Sequence, residues 1–229
     1  FFECGKYFKL TQRGLLIKLE EKYPAKRGGR ACYPASENLA TRSHCATPTD
    51  WRYCMKIAKY LQETPDLGLV LHCTSLQVNI WADASYAVHH DGKGHTGYII
   101  YLGDSYVHAR SGKQKLQSTS STDAEVIAAV EAVKTGVWLR EILREMRIAP
   151  LDHMMLYQDN SACLTMIGED SKCKRSKHIL TKIVYIKDMV TTGAIVSQHI
   201  KTDVMTADVL TKPLVGDTFK KFRQDMMGL

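Results

Sequence analysis

Apolar positions along the chain change period repeatedly, and the changes mark out its elements. Residues 7–23 read as a short strand and then an amphipathic helix, with Leu15, Leu16 and Leu19 on one stripe. Residues 24–48 lose all periodicity around Pro24, Gly28-Gly29, Pro34 and Pro48, so poor packing is expected there. Thr49-Asp50-Trp51 opens a helix to about Gln62, whose predicted buried face is Trp51, Cys54, Ile57, Ala58 and Leu61. Pro65-Asp66-Leu67-Gly68 ends it. Period two then takes over in Leu76–Ile80, Tyr98–Leu102 and Ser105–Arg110, and Gly103-Asp104 suits a type II′ hairpin turn.

Helical spacing returns from Thr122 to about Met146, with Ile127, Val130, Val133, Trp138, Leu139 and Ile142 as the apolar face. A strand at Met154–Tyr157, a helix at Ser161–Ile167, a basic loop, a helix at 178–190 and a strand at Ile195–Ile200 follow. A last helical stretch starts near Asp203, breaks at Pro213 and resumes at Asp217–Met226. Strands that alternate with helices pair in parallel. The expected fold is therefore α/β. It has a mixed five-stranded sheet, three antiparallel strands then parallel ones, with helices on both faces and a small α-rich appendage in front.

Composition narrows the function classes. Seven scattered cysteines, with no C-x-x-C pair, read as reduced thiols of a cytosolic or nuclear protein. No apolar run has the length of a membrane span, so no membrane partner is expected. The first residues lack an initiator Met and a signal-peptide pattern, as the interior of a longer protein would. The net charge is +7, which points weakly to polyanionic partners. Most of it lies in front: residues 1–70 hold 12 basic and 7 acidic side chains, which leaves only +2 for residues 71–229. In that second part the positive charge gathers at Lys172, Lys174, Arg175, Lys177, Lys182 and Lys187.

Four acids sit where the edge of such a sheet gathers side chains: Asp83 at a strand end, Glu125 in the first turn of the long helix, Asp159 directly after a strand, and Asp208 in the C-terminal stretch. Carboxylates brought together repel unless a divalent cation lies between them. Oxygen ligands without His or Cys favour Mg²⁺ or Mn²⁺. Each acid has a second reading on its own. Thr122 and Glu125 fit a capping box, Asp159 fits a helix N-cap, Asp83 a turn and Asp208 a solvated helical acid.

The flanking residues carry a resemblance. Trp81-Ala82-Asp83-Ala84-Ser85-Tyr86-Ala87, His95-Thr96-Gly97-Tyr98, Lys113-Gln114-Lys115, Ser120-Ser121-Thr122-Asp123-Ala124-Glu125, Gln158-Asp159-Asn160-Ser161-Ala162, Lys177-His178-Ile179 and Ala207-Asp208-Val209-Leu210-Thr211-Lys212-Pro213-Leu214 appear in order. The set resembles the ribonuclease H domain of copia-type LTR retrotransposon Pol polyproteins. The resemblance implies a ribonuclease H-like fold over residues 71–229. It implies two Mg²⁺ (or Mn²⁺) ions held by Asp83, Glu125, Asp159 and Asp208, and cleavage of the RNA strand of RNA/DNA hybrids. Candidate substrate contacts are Lys174, Arg175, Lys177 and His178, with Ser85 and Asn160 from the motifs themselves.

Residues 1–70 resemble, in pieces, a truncated thumb/connection region of the reverse transcriptase. Tyr7-Phe8-Lys9-Leu10-Thr11-Gln12-Arg13-Gly14 and Thr64-Pro65-Asp66-Leu67-Gly68 carry that likeness. Between them the family's Arg-Pro-Asp-Ile signature is replaced by Arg30-Ala31-Cys32-Tyr33-Pro34. The paired polymerase aspartates are absent, so no DNA synthesis is expected. The remainder of a Pol polyprotein is the implied covalent partner, and the oligomeric state stays open. Leu180 and Thr181-Lys182 depart from the family after Lys177-His178-Ile179, which bears on substrate contacts from that loop. The competing expectation is an inactive or repurposed remnant that binds without turnover.

Overall fold

The computed structural model describes residues 7–11, 39, 43–72, 75–148, 153–168 and 177–229. The predicted helix at 12–23, the aperiodic stretch at 24–38 and the basic residues Lys172, Lys174 and Arg175 lie outside the described residues. Two sheets form. β1 (Tyr7–Thr11) pairs antiparallel with β2 (Gly68–His72), and α1 (Pro48–Glu63) lies between them in the chain. The main sheet holds β3 (Val78–Ser85), β4 (His95–Leu102), β5 (Ser105–Lys113), β6 (Met154–Gln158) and β7 (Ile195–His199) in the order β5-β4-β3-β6-β7. β3, β4 and β5 are antiparallel, and β6 and β7 join in parallel, as the period changes predict.

The β4–β5 hairpin turns where Gly103-Asp104 stands. Gly103 has a φ of 59°, whereas Asp104 is not among the positive-φ residues, which is the requirement of a type II′ turn. α2 (Ser121–Glu145), α3 (Ser161–Ile167) and α4 (Lys177–Thr191) cover one face of the sheet. There Ile80, Ile100, Ile127, Val130, Leu156, Ile179, Ile183 and Ile186 form the main core. Gly136 lets α2 lie close to the sheet, because a Cβ there would stand 2.6 Å from Ile80 Cδ1. The opposite face is closed by the 3₁₀ segment Thr206–Leu210 and by α5 (Gly216–Met227), through Ile99, Tyr101, Val209, Leu210 and Phe222.

Three expectations about faces need correction. Trp51 and Trp138 are 58% and 59% exposed, and Cys54 is exposed too, so these residues lie outside the core. Ile57, Ala58 and Leu61 carry the inward side of α1 instead. α1 touches the C-terminal helix: Tyr60 and Phe219 meet edge-to-face at 6.3 Å, and Arg223 donates to the Tyr60 hydroxyl at 3.1 Å. The Ser105 hydroxyl donates to the His72 carbonyl at 2.6 Å, which joins the small ribbon to β5. Among the described residues no helix is long and apolar enough to cross a membrane.

Candidate active site

The central strand carries the first acid. Asp83 stands in the body of β3, paired across the ladder with Gly97, and its strand continues to Ser85 rather than ending at the acid. Both faces of β3 are covered, so Asp83 is 1% exposed. Glu125 comes from α2. The cap of that helix is Ser120, whose hydroxyl accepts from Asp123 N at 3.1 Å, so Thr122 does not cap it and Glu125 belongs to no capping box. Glu125 is left to turn inward and is 6% exposed. Asp159 follows β6, and the neighbouring Asn160 is the N-cap of α3, accepting from Cys163 N at 2.9 Å. Asp159 is free of that duty as well.

Oxygens of Asp83, Glu125 and Asp159 all lie within 4.8 Å of one another. Asp208 joins them from the other face. It lies in the 3₁₀ segment at 5% exposure, so it is no solvated surface acid. This segment can sit flat on β4 because Gly97 has no side chain. A Cβ there would stand 2.5 Å from Thr211 Cγ2 and 2.8 Å from Leu210 Cβ.

Five side chains absent from the sequence-level site set hold the acids in place. Gln158 is fully buried; its amide donates to Glu125 Oε2 at 3.2 Å. Its own Oε1 accepts from Asp159 N at 2.8 Å and Asn160 N at 3.2 Å. The Thr202 hydroxyl donates to Asp159 Oδ2 at 2.9 Å, and His199 Nε2 lies 3.1 Å from the Asp159 carbonyl. The Thr211 hydroxyl donates to Asp83 Oδ2. Lys212 Nζ lies 2.7 Å from Asp208 Oδ1 and 3.5 Å from Asp83 Oδ1. Gln158, Thr211 and Lys212 stand inside the quoted motifs, and the i,i+4 spacing of Asp208 and Lys212 was their one visible sign.

The electrostatics show a shortage of positive charge. Burial, with Asp208 and Asp159 adding to it against the pull of Lys212 and Thr211, raises the Asp83 carboxyl to about 7. Burial and the Asp83 and Asp159 charges push Glu125 up to about 9. Burial also raises Asp208, against its Lys212 partner. For Lys212 burial works the other way, yet the Asp83 and Asp208 charges hold its pKa above the usual lysine value. A buried set of carboxylate oxygens with neither His nor Cys in it suits a hard divalent cation.

The candidate substrate residues are placed less centrally. Lys177 and His178 are exposed in the first turn of α4. Lys174 and Arg175 lie outside the described residues. The Ser85 hydroxyl donates to the Thr211 carbonyl at 3.0 Å, and the Asn160 side chain caps α3, so both have a structural partner.

No protein-family model matches the chain. Among solved structures, the N-terminal RNase H domain of a Mycobacterium tuberculosis protein, fused to maltose-binding protein, aligns over 66% of this chain and 98% of that one. Its TM-score is 0.47 and its identity 15%. Among curated proteins, the retrovirus-related Pol polyproteins of the Arabidopsis thaliana transposons RE2 and RE1 are 31% and 30% identical over 190 residues, 82% of the chain. The corresponding polyprotein of the Nicotiana tabacum transposon TNT 1-94 is 28% identical over 171 residues. The chain spans 13% of the length of each of these relatives. Sequence relationship and sheet topology agree: the chain belongs to the retrovirus-related Pol polyproteins of copia-type retrotransposons, with a ribonuclease H-like fold.

Proposed function

We propose that residues 71–229 form a divalent-metal-dependent endoribonuclease that hydrolyses the RNA strand of RNA/DNA hybrids, as one part of a longer Pol polyprotein. The observation that carries this reading is the convergence of the buried Asp83 and Glu125 with the half-buried Asp159, and the buried Asp208 beside them. Two Mg²⁺ or Mn²⁺ ions bound there would supply an activated water and stabilise the leaving oxygen of the phosphodiester.

The chain's own part is to hold ligands and substrate still. Asp83 presents its carboxylate from a strand that is paired with β4 at Asp83 itself and with β6 up to Trp81, so its backbone has little freedom. Gln158 fixes the rotamer of Glu125 and at the same time pins the backbone that carries Asp159. Thr202 and Thr211 each fix one carboxylate oxygen, which leaves the other available as a ligand. Lys177 and His178, with Lys174 and Arg175, would contact phosphates of the substrate, and phosphate contacts set position rather than sequence preference. Choice of hybrid over other duplexes would rest on 2′-hydroxyl contacts and groove shape.

A labelled RNA/DNA hybrid tests the proposal, with single-stranded RNA and duplex DNA as controls. Cleavage of the hybrid's RNA strand alone, lost in chelator and restored by Mg²⁺ or Mn²⁺, is the expected result. Binding without cleavage under every metal would replace the nuclease with a remnant that only binds.

A further inference from the structure

The acid cluster is divided unevenly around Asp83. On one side Asp83 meets Glu125 and Asp159, and among the described residues no cationic side chain forms an ion pair with either of those two carboxylates, whose side-chain partners are Gln158 and Thr202. On the other side it meets Asp208, and there an ammonium group already stands between the carboxylates, 2.7 Å from Asp208 and 3.5 Å from Asp83. That ammonium is Lys212, which sits one turn after Asp208 with its backbone N–H bonded to the Asp208 carbonyl at 2.9 Å. Its side chain is 37% exposed, while those of its two partners are 2% and 7% exposed. The stem is therefore anchored at the site, and more than a third of the side chain is open to solvent.

We propose that Lys212 is a tethered counter-cation: it neutralises the Asp83–Asp208 position in the metal-free protein and yields that position to a divalent ion. The inference rests on the metal-binding reading above and adds an asymmetry to it. The side lined by Glu125 and Asp159 feels Lys212 only at longer range, without an ion pair, and binds first. The Asp83–Asp208 side binds only as Lys212 swings out, and so binds more weakly. A flexible four-carbon stem with a compact charge suits this exchange, since it can leave without disturbing the backbone.

Mn²⁺ titration of the full chain, followed by calorimetry and by the EPR signal of free Mn²⁺, tests this without reference to cleavage. The unsubstituted protein should show a tighter and a weaker class of site. Lys212→Ala and Lys212→Gln should tighten the weaker class at least about tenfold, or about 1.4 kcal/mol, and leave the tighter class nearly unchanged. In chelator both variants should melt below the unsubstituted protein, and saturating Mn²⁺ should erase the difference. A variant that folds only when Mn²⁺ is added would be the extreme form of the same result. Equal affinity of the weaker class in all three proteins overturns the role of Lys212 while leaving the metal site intact. Failure of both variants to fold at saturating Mn²⁺ makes Lys212 a plain structural residue. Absence of Mn²⁺ binding in the unsubstituted protein removes the metal site and this inference together.

Discussion

Gln158 binds Glu125 with one end of its amide and the chain segment of Asp159 with the other. One fully buried, uncharged side chain thus couples a helix-borne acid to the acid that follows β6.

Replacing Gln158 with Leu should expose that coupling. Two part-buried backbone N–H groups and a buried carboxylate oxygen lose their partner. Stability should fall by about 1–3 kcal/mol, and hybrid cleavage should drop roughly 10–100-fold. Denaturant unfolding and a cleavage assay on the folded variant measure both. A folded Gln158→Leu protein with full activity would show that Glu125 needs no orientation.

Asp83→Asn should abolish cleavage and keep the fold. The amide preserves shape and the Thr211 contact but removes the charge nearest to both halves of the cluster. Hybrid affinity should fall far less than rate, because the proposed phosphate contacts, Lys174, Arg175, Lys177 and His178, are separate from the acid cluster in the chain. Ca²⁺ should bind without supporting turnover, since its larger and looser shell positions water poorly. Undiminished cleavage by this variant would count against the two-metal reading.

Stability of the metal-free protein should decline as pH rises. Folded-state pKa values of Asp83 and Glu125 are raised, from 3.8 to about 7 and from 4.5 to about 9. The folded state therefore holds protons that the unfolded state has released. The stabilisation is complete below about pH 4, and is lost through about 7 for Asp83 and about 9 for Glu125. Melting in chelator at stepped pH should show this fall, and Mg²⁺ should offset it at the alkaline end. At pH 8 in chelator Asp83→Asn should be more stable than the unsubstituted protein, by on the order of 1–4 kcal/mol. A metal-free protein whose stability climbs between pH 5 and 9 would contradict the sign.

Gly97→Ala should damage the site from behind. The new methyl would meet Thr211 and Leu210 at 2.5 and 2.8 Å and lift the 3₁₀ segment off β4. A cost of about 1–3 kcal/mol is expected from the overpacking. The loss of activity should exceed what the remaining folded fraction explains, because Asp208, Thr211 and Lys212 move together. Equal losses of activity and folded fraction would mean that the segment adapts in place.

Much of the sheet was legible in the chain, and the misses have physical causes. Alternation in Leu76–Ile80 marks the central strand but stops before Asp83, because Trp81 to Ser85 are covered on both faces and show no alternation. β4 is extended toward His95 for the same reason: seven of its eight residues are buried. Trp51 and Trp138 satisfy helical spacing yet lie outside the core, since a stripe gives direction and not width. Asp208 looks solvated in isolation, and the close seat of its 3₁₀ segment on β4 at Gly97, invisible in local spacing, helps to bury it. The supporting groups were the least visible. Gln158 acts through its own backbone neighbours and leaves no periodic trace, and Lys212 shows only its i,i+4 spacing from Asp208, which does not reveal its second partner Asp83.

The hydroxyl bond from Thr211 to Asp83 joins residues 128 positions apart, and the Ser85–Thr211 bond spans 126. Closing loops of that length is entropically slow relative to forming local hairpins and helices. On the ribosome, β3, β4 and β5 can pair while Asp83 still waits for both Thr211 and Lys212. The acid cluster with its supporting groups is thereby completed after the sheet that carries it, and a growing chain holds no complete cluster until Asp208, Thr211 and Lys212 have been made.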